Sequence, residues 1–597
     1  MLIRHDGKLT GWAAAIVAWS VAGLFMPAML CGQPVSSPEL ARLFDEAWQD
    51  ELRRDPLLAT RVGEKRWNGE LPQVSLAAQE ERLEAKRRFL QRAEAIDPNT
   101  LSETDRVHWK IFVRLLRDDL TEGAFRGYLL AITNRSGFYI DFPDLPQWVP
   151  LATVQDYRDY LSRLRQFGRY AEENIELLRE GIRQKMVLPA VVLEGVEDVI
   201  RSPISENPRD TPWFAPFRAF PASVPSGIRD DLAHEAEEAI RQVVVPAYRK
   251  ILDFMKSEYL PAARASVGAS DLPNGRDYYR HRVQMFSTLD ITPEEIHEIG
   301  LQEVRRIRAE MEAVPSRIGF QGSYQQFVEH LRTDPKYYAA TKEQLLKEVS
   351  YVLKRVDGEL PRWFGRLPRM PYGIREVPEH IAPRTTTAYY MQPAGDGTRA
   401  GFYYVNTYNL KSRPLYEIEA LSLHEAVPGH HLQIALAQEL EDMPAFRRFA
   451  EPTAFVEGWA LYAERLGQEM GFYQDPISDF GRLSYEMWRA CRLVVDTGIH
   501  YFGWSRRQAI DFMLENTALS RHNIEAEVDR YISWPGQAVA YKIGELTIRR
   551  LRKEAEEALK ERFDIRRFHD VVLGSGAVPL DVLEENVRRY IQETSSR

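Results

Sequence analysis

The sequence predicts a mainly α-helical protein, a two-lobed helical body with a small β-hairpin or sheet beside its candidate site. Three observations support this prediction. Apolar residues recur at the three-to-four spacing of one-sided helices over long stretches. Several of these stretches begin with capping boxes, which satisfy the free amides of a first helical turn. Only one region, between residues 385 and 410, has the β-branched and aromatic composition that favours strands.

Length and composition describe an ordinary globular protein. The chain has 597 residues, of which 44% are apolar and 28% charged. This length allows three or four domains or one large two-lobed body. A net charge of −9 argues against a nucleic-acid binder, which needs a basic surface. The two cysteines cannot build a disulfide framework.

The N-terminal segment is typical of an export signal. Arg4 and Lys8 precede a long apolar stretch without charged residues, which ends in small residues. We therefore interpret residues 1–32 as a signal peptide and expect a periplasmic or secreted protein. The alternative is an uncleaved membrane anchor, because about 20 apolar residues can span a bilayer. A lipoprotein is the minor alternative, since the residue before Cys31 is the bulky Leu30.

Helical patterns follow from Pro38 to about Leu193 and recur in the rest of the chain. Capping boxes are predicted at Thr292–Glu295, Thr341–Gln344 and Ser505–Gln508.

Two proline-rich stretches, 202–217 and 367–383, are candidate boundaries. We divide the mature chain into a helical N-terminal region (33–366) and a predicted zinc-binding catalytic region (367–597) with the hairpin and the C-terminal helices.

The predicted strands lie at 385–410. TTTAYYMQ and GFYYVNTY are β-branched and aromatic, and the turn-rich PAGDGTRAG lies between them. This order predicts a hairpin with a long turn. The alternative is two unrelated buried strands.

The segment HEAVPGHH places His424, Glu425, His430 and His431 within eight residues. Histidine binds zinc as neutral imidazole, and a nearby carboxylate can take a proton from water. The usual His-Glu-x-x-His pattern fails, because position 428 is proline. Pro428 would disrupt a regular helix, and a break there could bring His424 and His430 together. His431 is the alternative second ligand.

A zinc site of this kind needs a third protein ligand. Glu457 follows in the apolar stretch PTAFVEGWALYAERL, 27 residues after His430. An acid among apolar residues needs a partner if it is buried. We therefore predict that Glu457 is the third ligand, although a surface glutamate would fit the pattern if it stood alone.

The order of three blocks, HEAVPGHHLQ, FVEGWALYAE and RYISWPGQAVAYKIGEL, resembles the bacterial "domain of unknown function 885" family, and residues 275–311 resemble it as well. That family is grouped with the gluzincin metallopeptidases, alongside the angiotensin-converting-enzyme, thimet-oligopeptidase and carboxypeptidase Taq types. The resemblance implies a metallopeptidase-like fold with His424, His430 and Glu457 as zinc ligands and Glu425 as general base. The residues inserted around Pro428 depart from the better-studied relatives.

Amide hydrolysis also needs a donor for the developing oxyanion. We assign Tyr541 to this role, with Tyr531 and His522 as alternatives, because similar enzymes place such donors in a C-terminal helix. A packed core aromatic is the other interpretation of Tyr541. Arg530 is predicted to bind a substrate carboxylate, with an ion pair to Glu527 or Asp529 as the alternative.

The strand GFYYVNTY, with Tyr404 and Asn406, is predicted to bind an extended peptide as an added strand. No Gly-x-Ser-x-Gly or nucleotide-binding motif is present, and Cys491 is predicted to be a packed thiol.

Taken together, the sequence predicts an exported zinc-dependent hydrolase, a metallopeptidase that cleaves short peptides. We expect it to bind no nucleic acid and to contact a membrane only through an uncleaved N-terminal segment. Two alternatives stay open: a zinc hydrolase for a non-peptide amide or ester, and a binding protein with a degenerate site.

Overall fold

The computed structural model of the protein describes residues 34–379, 382–395 and 397–596. The predicted signal peptide at residues 1–32 lies outside the described residues. Within these ranges, no helix is both long enough and apolar enough to cross a membrane. All the candidate site residues named above lie in the described part of the chain.

The predicted mainly α-helical fold is confirmed, with one small sheet in the described part. The helices that precede the sheet are α1 (Pro38–Arg54), α2 (Pro56–Arg61), α3 (Leu76–Glu94), α4 (Glu103–Ala124), α5 (Phe138–Asp141), α6 (Val154–Gln184), α7 (Val196–Arg201), α8 (Arg229–Ala239), α9 (Val245–Phe254), α10 (Leu260–Ala262), α11 (Gly275–Ser287), α12 (Pro293–Arg317), α13 (Tyr324–Thr333) and α14 (Lys342–Trp363).

The helices that follow the sheet carry most of the candidate site. They are α15 (Ile418–Glu425), α16 (His430–Gln438), α17 (Ala445–Arg448), α18 (Thr453–Glu469), α19 (Pro476–His500), α20 (Arg506–Asn516), α21 (Arg521–Ser533), α22 (Ala540–Leu559), α23 (Ile565–Leu573) and α24 (Leu580–Ser595).

Two of the three predicted capping boxes are confirmed. In α12 and α20, the hydroxyls of Thr292 and Ser505 accept from the third helical amide, and the reciprocal side-chain bonds are present. Thr341 also caps α14, but the side chain of Gln344 accepts from the amide of Ala340 instead. The positions of these helix starts were therefore readable from the sequence.

The sheet contains three strands: β1 (Tyr372–Glu376), β2 (Ala388–Met391) and β3 (Gly401–Val405). The predicted hairpin is confirmed, since β2 and β3 pair antiparallel. Strand β1 was not predicted. It lies in the stretch 367–383, which was predicted to be a boundary, and it pairs parallel with β3. Pro371 and Pro378 flank β1 and do not interrupt it. The strand order is β1-β3-β2, and β3 therefore has a paired strand on each side.

One large hydrophobic core runs from Leu71 to Tyr590 and includes residues from both predicted regions. A smaller apolar cluster, which includes Leu40 and Phe112, lies among the first helices. A third cluster, of Val377, Ala382 and Tyr404, involves the sheet.

Helices α18 and α22 pack closely because glycines meet at their contact. A Cβ on Gly458 would lie 2.5 Å from the backbone of Gly544, and a Cβ on Gly544 would lie 1.9 Å from the carbonyl oxygen of Ala454. Only glycine allows this approach. The contact brings Glu457 of α18 near Tyr541, in the first turn of α22.

Candidate metal centre

A break between α15 and α16 brings two imidazoles together. Helix α15 ends one residue after His424, and α16 begins at His430. Between them, Pro428 has no amide hydrogen, and a Cβ on Gly429 would lie 1.9 Å from the carbonyl oxygen of His424. Trp459 Nε1 donates to the carbonyl of Pro428 at 2.8 Å and holds the break in place. The two imidazole rings consequently lie with their centroids 4.8 Å apart.

The structure brings His424, His430 and Glu457 together, while their role as metal ligands stays a prediction. The Nε2 atoms of His424 and His430 lie 3.6 and 3.5 Å from Oε2 of Glu457. One donor atom from each residue lies within 4.8 Å of the other two. The three side chains are only 5, 11 and 19% exposed, so the cluster is nearly closed to solvent.

These distances fit a shared cation better than direct hydrogen bonds. Two ligands at about 2.0–2.1 Å from a tetrahedral zinc ion are about 3.3 Å apart, close to the two separations to Glu457. Oε2 of Glu457 is buried and has no hydrogen-bond partner in the described part of the protein. A buried carboxylate oxygen without a partner is costly unless something else binds it. The donor set of two imidazoles and one carboxylate suits zinc.

The charges of the site also favour a cation. Burial alone would lower the pKa of His424, but the neighbouring carboxylates of Glu457 and Glu464 raise it to about 9. Burial alone would raise the pKa of Glu457, but the neighbouring His430 and His424 hold it well below its usual range. The carboxylates therefore make a positive charge favourable at this point.

Glu464 orients the first imidazole, and the sequence analysis missed this residue. Its Oε1 lies 2.8 Å from Nδ1 of His424, which leaves Nε2 directed to the cluster. Glu464 is 1% exposed and also contacts Nη2 of Arg489 at 3.3 Å. Second-shell carboxylates of this kind fix the tautomer of a metal-binding histidine. Its spacing of seven residues, two helical turns after Glu457, was the pattern that could have identified it.

Glu425, the predicted general base, is the last residue of α15 and is 8% exposed. Burial raises its pKa, the charges of His424 and His430 lower it, and that of Glu457 raises it further. The Glu425 carboxylate is therefore close to the three candidate ligands. A raised pKa suits a group that must accept a proton and then release it.

His431, the alternative ligand, is turned away from the cluster. Its Nδ1 lies 2.8 Å from the hydroxyl of Tyr390, and its Nε2 lies 3.0 Å from the carbonyl oxygen of Met370. Both ring nitrogens are occupied, and burial lowers the pKa of His431 to about 4. The geometry therefore favours His430 over His431 as the second ligand.

Of the three candidate oxyanion donors, only Tyr541 is placed beside Glu457. Burial and the charge of Glu457 raise the pKa of its hydroxyl. Tyr531 is 1% exposed, and its hydroxyl accepts hydrogen bonds from Trp488 and Arg492 at 2.9 and 3.0 Å. His522 is exposed in the first turn of α21.

Arg530 makes the ion pair that the sequence analysis gave as its alternative. Its Nη2 lies 3.1 Å from Oε2 of Glu527, and its Nη1 donates to Gln537 at 3.1 Å. Asp529 pairs with Arg506 instead. Arg530 is nevertheless close to Tyr541, whose hydroxyl contributes to raising the pKa of the guanidinium.

The two residues predicted to bind peptide from β3 have other contacts, and this part of the prediction is wrong. The amide of Asn406 is completely buried and donates to the carbonyls of Ala382, Thr385 and Thr386. Tyr404 stacks on the ring of Tyr389 with centroids 4.8 Å apart.

A peptide cannot add to β3, because β3 already has a strand on each side. Alternation along the strand instead directs Tyr403 toward the site, where the charge of Glu425 adds to burial in raising the pKa of its hydroxyl.

Comparisons with known proteins agree with the order of the motifs. Residues 56–587 match the family model described as "Bacterial protein of unknown function (DUF885)", and the chain belongs to this family. None of the curated proteins matches the sequence.

Two solved structures are similar to this one. The first is the "putative lipoprotein from Colwellia psychrerythraea", which is 30% identical, with a TM-score of 0.89 over 93% of this chain and 99% of that one. The second is a "putative lipoprotein of unknown function from Shewanella oneidensis", which is 18% identical, with a TM-score of 0.68 over 92% of this chain and 99% of that one. This second likeness concerns the fold alone.

Proposed function

We propose that the protein is an exported zinc-dependent hydrolase, a metallopeptidase that cleaves short peptides. The observation that carries the proposal is the convergence of His424, His430 and Glu457 around a point where Oε2 of Glu457 is buried without a partner. A structural histidine cluster would be expected to satisfy its own buried carboxylate.

In this proposal His424 and His430 hold the ion through Nε2, and Glu457 holds it through a carboxylate oxygen. When bound, zinc supplies Lewis acidity, which makes water more acidic and a substrate carbonyl more electrophilic. Glu425 takes a proton from the attacking water on its carboxylate and passes it to the leaving amine. Tyr541 donates its hydroxyl hydrogen to the oxygen of the substrate carbonyl as negative charge develops there.

The order of the motifs supports a relation to the gluzincin peptidases. Glu425 is the strongest argument for catalysis, because a protein that only binds metal has no need for a buried carboxylate next to the ligands. The nearly closed site supports short or flexible substrates, since a folded protein could not bring a peptide bond to it.

Export is supported from two sides. The N-terminal sequence is typical of a signal peptide, and the similar structure from Colwellia psychrerythraea is described as that of a "putative lipoprotein". We propose a periplasmic or secreted location. Mass spectrometry of the mature protein would identify signal cleavage, a retained anchor or a lipid on Cys31 by the mass of the N-terminal fragment.

Metal analysis combined with a peptide-library assay tests the function. The purified protein is expected to contain about one zinc ion per chain and to cleave library peptides, with loss of activity in a chelator and recovery on zinc addition. Zinc without peptide cleavage would support a hydrolase for another amide or ester. A protein without zinc, and without activity after zinc addition, would leave only a binding role.

The ligand assignment has a matched pair of variants on adjacent helices. His424→Ala is expected to lose zinc, because two remaining ligands hold the ion poorly. His431→Ala removes a neighbouring buried imidazole whose nitrogens bind Tyr390 and Met370, and it is expected to keep zinc. Full zinc occupancy in His424→Ala would remove that residue from the site.

A further inference from the structure

Next to Tyr541, three arginines share one carboxylate. We name Arg135, Arg492 and Arg530 the arginine cluster. Arg135 contacts Oε1 of Glu527 at 3.3 Å, while Arg492 and Arg530 contact Oε2 at 3.2 and 3.1 Å. Glu527 is 1% exposed. Three guanidinium groups therefore face a single buried negative charge.

The remaining acids near the arginine cluster are committed elsewhere. Asp529 forms two hydrogen bonds with Arg506, at 2.6 and 3.0 Å. Asp496 accepts from the hydroxyl of Tyr279 at 2.6 Å and from the amide of Gly536 at 3.1 Å. Burial also raises the pKa of Asp496 to about 7, so it is partly neutral at neutral pH. The surplus of positive charge is consequently not cancelled among the residues that the structure describes.

One donor of the arginine cluster is buried without a partner. Arg492 is 3% exposed, and its Nη1 has no hydrogen-bond acceptor in the described part of the chain. Its other nitrogens donate to Tyr531 and Glu527. A buried guanidinium hydrogen without an acceptor is costly, and a carboxylate is the acceptor that arginine binds best.

The arginine cluster also lies against the candidate metal centre. The guanidinium of Arg492 stacks over the ring of Tyr541, 4.3 Å from its centroid, and Arg530 is close to the hydroxyl. Tyr541 and Glu457 lie on α22 and α18, which pack together where Gly544 meets Gly458. A substrate held at the metal centre would therefore extend over Tyr541 to the arginine cluster.

We propose that the arginine cluster binds the free C-terminal carboxylate of the substrate, so that the protein acts as a carboxypeptidase. This inference rests on the proposed function and narrows it to peptides with a free C-terminus. Water adds its hydroxyl to the carbonyl carbon, the C–N bond breaks, and the leaving amine takes the remaining proton. The product released from the arginine cluster is the C-terminal fragment, with its new amino group toward Glu425.

The first experiment measures binding and is independent of turnover. N-acetylated tripeptides, made as matched free acids and carboxamides, are titrated into zinc-loaded Glu425→Gln protein in a calorimeter. The free acids are expected to bind about 10- to 100-fold more tightly, the effect of one hydrogen-bonded charge pair. Equal affinity for acids and amides would overturn the carboxylate site.

Paired variants assign the effect to the arginine cluster. Arg530→Gln removes a charge beside Tyr541 and is expected to lose most of the preference for free acids. Arg506→Gln removes a charge that pairs with Asp529 and is expected to keep the preference. Arg530→Lys keeps the charge and is expected to retain part of the preference. Circular dichroism shows whether each variant is folded, and the wild-type comparison of acids and amides decides the question if a variant is not.

Hydrolysis of the same peptides by the wild-type protein separates the two proposals. Cleavage of free acids but not of amides supports both. Equal cleavage of acids and amides supports the peptidase and overturns the carboxylate site. If neither is cleaved, the proposed function fails, and the preference for acids in the binding experiment still tests the arginine cluster.

Discussion

Lys542 and Glu457 are both charged side chains of the interior, but their partners among the described residues differ. The ammonium group of Lys542 is completely buried and lies 3.0 Å from Glu303, 2.9 Å from Glu486 and 2.9 Å from Glu545. Oε2 of Glu457 instead has two imidazoles at 3.5 and 3.6 Å and no hydrogen-bond partner among the described residues.

The acids around Lys542 are themselves matched by arginines. Arg306 contacts Glu303 and Glu486, and Arg482 contacts Glu486 at 3.0 Å. Buried charges that are paired in this way join the helices that carry them. Here the network joins α12, α19 and α22.

The candidate metal centre is arranged differently. Glu464 orients His424 and Trp459 fixes the helix break, while Oε2 of Glu457, which faces both imidazoles, has no hydrogen-bond partner among the described residues. The charges around Lys542 pair with one another, whereas the unpaired carboxylate oxygen of Glu457 agrees with the proposed metal ion. If the proposed function holds, the buried charges around Lys542 stabilise the fold, and those around Glu457 bind a metal ion.

The largest effect is expected from Glu425→Gln. Without the carboxylate, proton transfer to the leaving amine fails, and kcat should fall by about 100- to 10,000-fold while zinc is retained. Peptide hydrolysis and metal content are measured on the same sample. Glu441→Gln, at an acid that is 80% exposed, is the control and should leave both unchanged. Comparable turnover in Glu425→Gln would exclude it as the base.

Lys542→Met is expected to lower the free energy of unfolding by about 3–5 kcal/mol, because it leaves the carboxylates of Glu303, Glu486 and Glu545 without their shared cation. Urea denaturation measures the change. Lys553→Met, on the same helix but 75% exposed and 3.7 Å from Glu557, should change stability by less than about 1 kcal/mol. If zinc binding and not stability were lost in Lys542→Met, the two clusters would not be distinct.

The sequence predicted much of this arrangement where the pattern was local. The helix starts at Thr292 and Ser505 followed from their capping boxes. The break at Pro428 followed from its missing amide, and with it the approach of His430 to His424. The hairpin followed from composition alone.

What the sequence did not predict depends on contacts between distant segments. The strand β1 has no distinctive composition, and its pairing puts β3 in the centre of the sheet, so the expected peptide-binding edge does not exist. The gathering of Arg135 and Arg492 around Glu527 joins a loop to two helices far along the chain. The spacing of residues along the sequence does not predict contacts between segments so far apart.

Glu464 is a buried carboxylate that orients a ligand of the candidate metal centre, and it therefore tests the comparison with the Lys542 network. Glu464→Gln weakens the hydrogen bond that orients His424, and zinc affinity is expected to fall by about 10- to 100-fold. Competition with a chelator measures the affinity. Glu469→Gln, at a more exposed acid of the same helix that pairs with Arg552, is the control. Unchanged affinity in Glu464→Gln would mean that packing alone orients the imidazole.

The smallest effect is expected from His500, a buried group that is satisfied only when neutral. Its Nδ1 accepts from the amide of Ala269 at 2.9 Å, and its Nε2 lies 2.9 Å from the carbonyl oxygen of Tyr531. A proton on Nδ1 would clash with the amide hydrogen of Ala269. Burial lowers the pKa of His500 to about 3. In the unfolded chain the pKa is near 6.5, so stability is complete above that pH and is lost as the pH falls toward 3.

Urea midpoints of the metal-free protein at pH 7 and pH 4.5 test this expectation. The acid-induced loss of stability should be about 2 kcal/mol greater in the wild type than in His500→Gln, because the glutamine does not titrate. The difference between the two proteins cancels the contribution of the other titrating groups, the metal centre included. Identical pH dependence would mean that His500 takes up its proton in the folded protein, and that the Ala269 contact yields as the pH falls.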